Sequence, residues 1–193
     1  MQDLPYIDTY LTELKQVIDM LPRSVIAQIY AKLEECQRAE QTLFVFGNGG
    51  SAATASHMVC DMGKNTRGSD KPRLRVIGLA DNIAVLSAYA NDEGYERVFA
   101  EPLLSLGRAG DVALAISGSG NSANVLEGIK TAKALGMFTI GLTGYSGGKL
   151  KGLVDLALVV PVHDMEQVED AHMILDHVLT GLLRGRRYAI AHE

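Results

Sequence analysis

Residues 42–55 of the chain read TLFVFGNGGSAATA, and residues 112–125 read VALAISGSGNSANV. Each stretch has a short apolar run, then a turn rich in glycine and serine, then residues that favour a helix. Apolar runs of this length are typical of strands that are buried on both faces of a sheet. A strand that passes through a glycine-rich turn into a helix predicts a parallel α/β fold.

The rest of the chain repeats this alternation. Five apolar runs predict the strands Thr42–Phe46, Arg75–Leu79, Val112–Ile116, Phe138–Leu142 and Leu156–Val160. Helical spacing predicts helices over Ser51–Met62, Ile83–Leu106, Ser122–Leu135 and Lys149–Leu153, and from Met165 to Arg184. We therefore predict an α/β fold, a three-layer sandwich around a five-stranded parallel sheet, with ligands at the carboxyl ends of the strands.

A helical segment precedes the first strand. Apolar residues recur at helical spacing through residues 6–40, and Pro22 interrupts them, which predicts two helices. This N-terminal helical arm covers either the chain's own core or a partner subunit, and the sequence leaves both open. We predict one domain over residues 1–193, with the arm at residues 1–40 and the α/β core at residues 41–193.

Composition and charge exclude several classes of protein. The 193 residues are 47% hydrophobic and 21% charged, which is typical of a globular chain. The net charge of −5 argues against a nucleic-acid partner. No run approaches the ~20 apolar residues that span a bilayer, so we expect no membrane partner. The N-terminus lacks a basic segment followed by an apolar one, and the two cysteines form no disulfide framework, so we expect a cytoplasmic protein.

The two turns, residues 47–51 and 117–122, are candidate phosphate sites. Glycine lets the backbone approach a ligand closely, the first N–H groups of a helix are unpaired donors, and serine hydroxyls add further donors. Glycine and serine also shape turns and cap helices without any ligand. Because both turns fall at the same edge of the predicted sheet, we favour a ligand. Neither turn fits a dinucleotide or nucleoside-triphosphate motif, so we expect a small phosphorylated metabolite such as a sugar phosphate.

At these turns the chain resembles sugar isomerase (SIS) domains, and the combination of several segments is similar to the phosphoheptose isomerase family. The segments are GNGGS at residues 47–51, His57, AND at 90–92, SGNSANV at 119–125, LTG at 142–144, and EDAH at 169–172 leading to His177. The resemblance covers nearly the whole chain. It implies the SIS fold and an aldose–ketose isomerase acting on sedoheptulose 7-phosphate. It also implies a homotetramer with active sites between subunits and a divalent metal, usually zinc.

The resemblance further implies roles for single residues. The metal-site residues would be His57, Asp61, Glu169 and His177. The substrate-binding residues would be Asn48, Gly49, Gly50, Ser51, Asn91, Asp92, Ser117, Gly118, Ser119, Ser122 and Glu169, with the serines on the phosphate. The chain departs from the usual family pattern at three positions, where Asp61 replaces glutamate, Glu169 replaces glutamine and Gly118 replaces threonine.

Helical spacing limits which of these residues can share one ion. His57 and Asp61 are four residues apart and lie on one face of a predicted helix. Glu169 and His177 are eight residues apart, which is about 12 Å along a helix and roughly 80° around it. Either the last helix begins after Glu169, or the two residues serve sites in different subunits. His172, between them, is expected beside the site or at an interface.

Aldose–ketose isomerisation needs a base that moves a proton between C1 and C2, and an acid for the carbonyl oxygen. A metal can polarise that carbonyl. The expected catalytic residues are Asp61 as the base, with Glu169 as its substitute, and His177 as the acid or a metal ligand. These roles conflict at Asp61, because a carboxylate that binds a metal is a weaker base.

A non-catalytic protein of the same fold is the alternative. Such a protein would sense sugar phosphates or bridge protein partners as a tetramer, similar to the replication-initiator-associating SIS proteins. The resemblance implies that this branch lacks an acid at position 61 and a histidine at position 177. The presence of Asp61 and His177 therefore favours the enzyme.

Overall fold

The computed structural model describes residues 3–67 and 71–185, which contain seven α-helices and five strands. The helices are α1 (Leu4–Met20), α2 (Arg23–Arg38), α3 (Gly50–Asn65), α4 (Ile83–Asp92), α5 (Ala100–Leu106), α6 (Ala123–Ala134) and α7 (Met165–Leu183). The strands are β1 (Thr42–Gly47), β2 (Arg75–Gly78), β3 (Val112–Ser117), β4 (Phe138–Gly144) and β5 (Leu156–Val160). In this described part of the chain, no helix combines the length and the apolar character needed to cross a membrane.

The five strands form one parallel sheet in the order β2-β1-β3-β4-β5, which confirms the predicted fold. Every residue of β1 and β3 is buried, because helices cover both faces of the sheet. β2 lies at the edge, and its residues alternate between exposed and half-buried positions, so its predicted burial on both faces is wrong. The strand order reverses between β1 and β3, where Leu43 pairs with Val112. Parallel sheets bind ligands at such a switch point.

Alternate residues of the central strands enter two separate cores. Leu43 and Val45 of β1 belong to a core formed with α2, α3 and α7 on one face of the sheet. Phe44 and Phe46 belong to the core on the other face, formed with α5 and α6. The ring of Phe46 there lies 5.0 Å from the ring of Phe99, measured between centroids. The result is three layers, with the sheet between two layers of helices.

The N-terminal arm packs on its own chain. Val17 of α1 and both Ile29 and Leu33 of α2 belong to the core on the α3 and α7 face. The Tyr10 hydroxyl donates to Oδ2 of Asp170 at 2.6 Å, which links α1 to α7. The arm therefore covers part of the chain's own core, but apolar residues of α1 (Leu4, Tyr6, Ile7 and Leu11) stay exposed, so its cover of a partner subunit stays a prediction.

Two predicted helices are wrong in part. The helix predicted over residues 83–106 is interrupted after α4, because Gly94 adopts a φ of 94° that helical residues do not. A short 3-10 helix and then α5 follow it. The helix predicted over residues 149–153 is a single 3-10 turn, Leu150–Gly152. None of the residues of α4, all of them described, is buried, and Ile83 at its start is 71% exposed.

Candidate functional site

A cavity of about 300 Å³ opens at the carboxyl ends of β1 and β3. The turns after these strands lead into α3 and α6, and the first turn of α7 completes the wall. The cavity is lined by Asn48, Gly49, Gly50, Ser51, Ile116, Ser117, Gly118, Ser119, Ser122, Met165 and Glu169. These include nine of the eleven residues expected to bind substrate. The other two, Asn91 and Asp92, are exposed at the end of α4 and are absent from the lining formed by the described residues.

Three serines of the turn after β3, which we call the serine cradle, are Ser117, Ser119 and Ser122. The hydroxyl oxygens of Ser117 and Ser122 are 3.4 Å apart. Ser122 is the N-cap residue of α6, and within the described structure its hydroxyl makes no capping hydrogen bond to that helix. The loop is held in place from behind, where the Leu150 N–H donates to the carbonyl oxygen of Gly120 at 3.0 Å. The cradle therefore offers hydroxyls beside the first N–H groups of α6, an arrangement that suits phosphate.

The turn after β1 brings a second helix N-terminus to the cavity. Gly49 precedes α3 with a φ of 54°, a backbone conformation that favours glycine. The carboxylate of Glu169 packs against Gly50, the first residue of α3, so closely that a Cβ at position 50 would lie 2.5 Å from each carboxylate oxygen. Because a helix N-terminus carries positive partial charge, it stabilises this carboxylate. In the same way Met165, one turn earlier in α7, occupies the space beside Gly118.

Asn48 is held by two residues that the sequence analysis did not single out. Its side-chain amide exchanges two hydrogen bonds of 2.8 Å with the amide of Asn124. The Tyr95 hydroxyl donates to Oδ1 of Asn48 at 3.0 Å. Asn124 lies in the second quoted stretch, at the start of α6, and its 3% exposure was not evident from its polar side chain.

A second group of ionisable side chains, the α3–α7 cluster, consists of His57, Asp61, Asp176 and His177. Each offers one ligand atom, and these atoms all lie within 4.8 Å of one another. Nε2 of His57 is 3.3 Å from Nε2 of His177, 3.7 Å from Oδ2 of Asp61 and 3.9 Å from Oδ2 of Asp176. The structure thus brings together three of the four residues expected at a metal. Asp176 was not predicted from the sequence, because a single acidic residue in a helical pattern gives no sign that it is buried.

Asp176 is the most perturbed member of the cluster. Its side chain is fully buried, and Oδ1 accepts a hydrogen bond from the Thr180 hydroxyl at 3.3 Å. Oδ2 has no hydrogen-bond partner among the described residues. Burial and the nearby charge of Asp61 raise the pKa of Asp176 to about 6, although the two histidines lower it. Two imidazoles and two carboxylates, one with a buried oxygen that accepts no hydrogen bond from a described residue, form a donor set that fits a divalent cation.

Glu169, the fourth expected metal residue, is not part of this cluster within the described chain. α7 runs without a break through both Glu169 and His177, so the possibility that the helix begins after Glu169 is wrong. His57 lies seven residues beyond Gly50, a rise of about 10 Å along α3. The cluster therefore lies about two helical turns from the cavity end at which Glu169 is found. The possibility that Glu169 and His177 serve sites in different subunits stays open.

His172 lies inside the chain's own core. It is 1% exposed, and its Nε2 is 3.4 Å from the carbonyl oxygen of Thr143 in β4. Its Nδ1 has no hydrogen-bond partner in the part of the chain that is described. Burial lowers the pKa of His172 to about 4, so the ring is neutral near pH 7. It is therefore a packing residue and not a member of the α3–α7 cluster.

Comparison with known proteins gives a consistent result. The SIS domain family profile matches residues 5–144. The phosphoheptose isomerase of Helicobacter pylori is 37% identical over 166 residues, which cover 86% of this chain and 85% of that protein. The phosphoheptose isomerase of Roseiflexus is 38% identical over 175 residues, 88% of each chain. The solved structure of phosphoheptose isomerase GmhA from Neisseria gonorrhoeae has a TM-score of 0.88 at 30% identity and covers 96% of this chain and 98% of its own.

Proposed function

This chain belongs to the SIS domain family and is a phosphosugar isomerase, and from this premise we propose that it converts sedoheptulose 7-phosphate into D-glycero-D-manno-heptose 7-phosphate. The observation that carries the proposal is the cavity between β1 and β3, where the serine cradle and the Glu169 carboxylate line one space. A phosphorylated sugar needs a phosphate site and a base within reach of its carbonyl end, and this cavity offers both.

The phosphate is proposed to bind the serine cradle at the start of α6. Two helix N-termini reach the cavity, and each would attract an anion. The one at α3 already has the Glu169 carboxylate against Gly50, and a phosphate placed there would be repelled by it. The N-terminus of α6 has no such carboxylate among the residues that line the cavity. The carbonyl end of the sugar then lies towards α3.

Glu169 is proposed as the base that moves the proton between C1 and C2. It lines the cavity, whereas Asp61 lies 3.7 Å from His57 in the α3–α7 cluster. This division of roles would remove the conflict over Asp61, because Asp61 would be a ligand and Glu169 would stay free to accept a proton. The family usually has glutamine at this position, which cannot accept a proton, so Glu169→Gln tests the assignment directly: kcat should fall by about 100-fold or more, and full activity would return the role of base to Asp61.

The α3–α7 cluster is proposed to hold a divalent metal. His57, Asp61, Asp176 and His177 would be its ligands, and zinc is favoured because imidazole and carboxylate donors suit it. The support is Oδ2 of Asp176, a buried carboxylate oxygen without a hydrogen-bond partner in the described structure. When bound, a divalent ion would supply a Lewis acid for a substrate carbonyl. Because the cluster lies about two helical turns from this chain's own cavity, that substrate would be bound in the cavity of a neighbouring subunit. His177 is assigned to this ligand role.

A homotetramer with active sites between subunits is proposed for the assembly. The support is α4, an apolar helix with no buried residue in the described chain. Asn91 and Asp92 at its exposed end would then face the cavity of a neighbouring subunit. In such an assembly Glu169 would also lie close to the α3–α7 cluster of a neighbouring subunit. We further propose that the chain acts as one SIS domain in the cytoplasm.

The test is NMR of sedoheptulose 7-phosphate incubated with zinc-loaded protein, with a chelated sample beside it. New aldose anomeric signals that vanish on chelation are expected. Conversion in both samples would keep the isomerase and contradict the role of the metal. If neither sample shows conversion, sedoheptulose 7-phosphate is not the substrate.

A further inference from the structure

The amide of Asn48 lines the cavity and has nearly all of its hydrogen-bonding capacity occupied by protein. Oδ1 accepts from Nδ2 of Asn124 at 2.8 Å and from the Tyr95 hydroxyl at 3.0 Å. Nδ2 donates to Oδ1 of Asn124 at 2.8 Å. An amide oxygen has two lone pairs and an amide nitrogen has two hydrogens. One N–H of Asn48 is therefore still available to a ligand, whereas both acceptor sites of its Oδ1 are occupied.

A backbone group fixes which way these amides point. The Val125 N–H donates to Oδ1 of Asn124 at 2.9 Å, and a backbone N–H cannot accept. Oδ1 of Asn124 must therefore face Val125, so its Nδ2 faces Asn48. Asn48 in turn must direct its oxygen at Nδ2 of Asn124, where the Tyr95 hydroxyl also donates. The orientation of Asn48 is thus set by its neighbours and not by a ligand.

We propose that Asn124 and Tyr95 are positioning residues that fix Asn48 as a hydrogen-bond donor to a sugar oxygen in the cavity. A fixed donor can stabilise an oxygen that gains negative charge, as the carbonyl oxygen does when the proton leaves the neighbouring carbon. This inference rests on the proposed function for its kinetic consequence. Its structural part, the locked orientation of Asn48, stands on the hydrogen bonds alone.

The kinetic test is a double-mutant cycle of Tyr95→Phe with Asn48→Ala. Tyr95→Phe removes one hydroxyl and keeps the ring, and we expect kcat to fall about threefold to tenfold with little change in KM, because the donor acts on developing charge. In the Asn48→Ala background the same substitution should change kcat by less than about twofold. Tyr6→Phe is the matched control, since Tyr6 is also an exposed tyrosine, 73% against 51% for Tyr95.

The outcomes separate this inference from the proposed function. An equal loss from Tyr95→Phe in both backgrounds would overturn the positioning role, since Tyr95 would then act independently of Asn48. The second readout needs no substrate, because the side-chain amide signals of Asn48 can be followed by NMR in ¹⁵N-labelled protein. We expect Tyr95→Phe to shift them and Tyr6→Phe to leave them unchanged. If wild-type protein fails to convert sedoheptulose 7-phosphate, only the proposed substrate is wrong. If the Asn48 signals of Tyr95→Phe stay where they are in wild type, the positioning of Asn48 by Tyr95 is wrong, whatever the substrate.

Discussion

The Glu169 carboxylate lies against the α-carbon of Gly50, the residue at which α3 begins. The contact brings a side chain of α7 to the N-terminus of a helix that starts about 120 residues earlier in the chain. It leaves no room for any side chain at position 50, and it places a negative charge where the helix is most positive. Both properties lead to a test at Gly50 itself.

Gly50→Ala should disable the site while leaving the fold intact. The new Cβ would lie 2.5 Å from both carboxylate oxygens, so Glu169 has to move out of its position. We expect kcat/KM to fall about tenfold or more, as for a misplaced catalytic group. Gly181→Ala is the control, because a Cβ there meets no described atom within 4 Å. That variant should keep full activity and gain about 0.5–1 kcal/mol in the free energy of unfolding. Equal activities for the two variants would contradict the role of the contact.

Replacing both Ser119 and Ser122 with alanine should act on substrate binding. Each hydroxyl is expected to donate to a charged phosphate, a bond worth about 1.5–3 kcal/mol. Loss of both should raise KM by about 100-fold or more and change kcat only slightly, because the phosphate is remote from the reacting carbons. Steady-state kinetics with Ser24 and Ser105 replaced instead, both exposed serines outside the cavity and outside α4, gives the control. A normal KM in the cradle variant would contradict the phosphate assignment.

Asp176→Asn should separate metal binding from stability. In metal-free protein the substitution removes the charge of a buried carboxylate whose Oδ2 has no hydrogen-bond partner among the described residues, so the melting temperature should rise. Added zinc at 100 times its Kd should raise the free energy of unfolding of wild-type protein by about 2.7 kcal/mol, and its melting temperature should rise accordingly. The melting temperature of the variant should rise far less. Thermal unfolding with and without zinc measures both effects. His163→Ala, an exposed histidine outside the cluster, should respond as wild type does. An undiminished zinc response in Asp176→Asn would remove Asp176 from the ligand set.

His172 should make the fold sensitive to acid. Burial lowers its folded pKa to about 4 from an ordinary value of 6.5, so between these values the unfolded chain binds a proton that the folded chain does not. Stability from this residue is therefore fully present above pH 6.5 and is lost as the pH falls towards 4, by about 3 kcal/mol in total. Urea unfolding of wild type and His172→Gln at several pH values measures the difference. If the two proteins lose stability in parallel over this range, His172 is not its source.

Most of the residues that line the cavity could be predicted from the sequence, because they lie in two short turns that each follow a strand. Residues 47–51 and 117–122 each follow a buried strand, and turns that follow neighbouring parallel strands meet at one edge of the sheet. Glu169 could be placed there only through the resemblance, because it comes from a helix that is distant in the chain. Helical spacing left its relation to His177 open, and the unbroken α7 then excluded one of the two possibilities.

Other features depended on contacts that no short stretch of sequence contains. Asp176 looks like an ordinary helical acid, and only the packing of α7 on α3 buries it beside His57. The interruption after α4 depends on the φ of Gly94, and a glycine in a helical pattern is also compatible with a continuous helix. The orientation of Asn48 depends on Asn124, 76 residues away.

The pairing of β1 with β3 also has a consequence for how the protein folds. Leu43 and Val112 are far apart in the chain, so their pairing closes a long loop and is slow compared with the formation of any single helix. The two turns that form the cavity come together only in that step. A sugar phosphate added during refolding would therefore bind only molecules that have completed it, and the time course of binding would report the closing of the sheet.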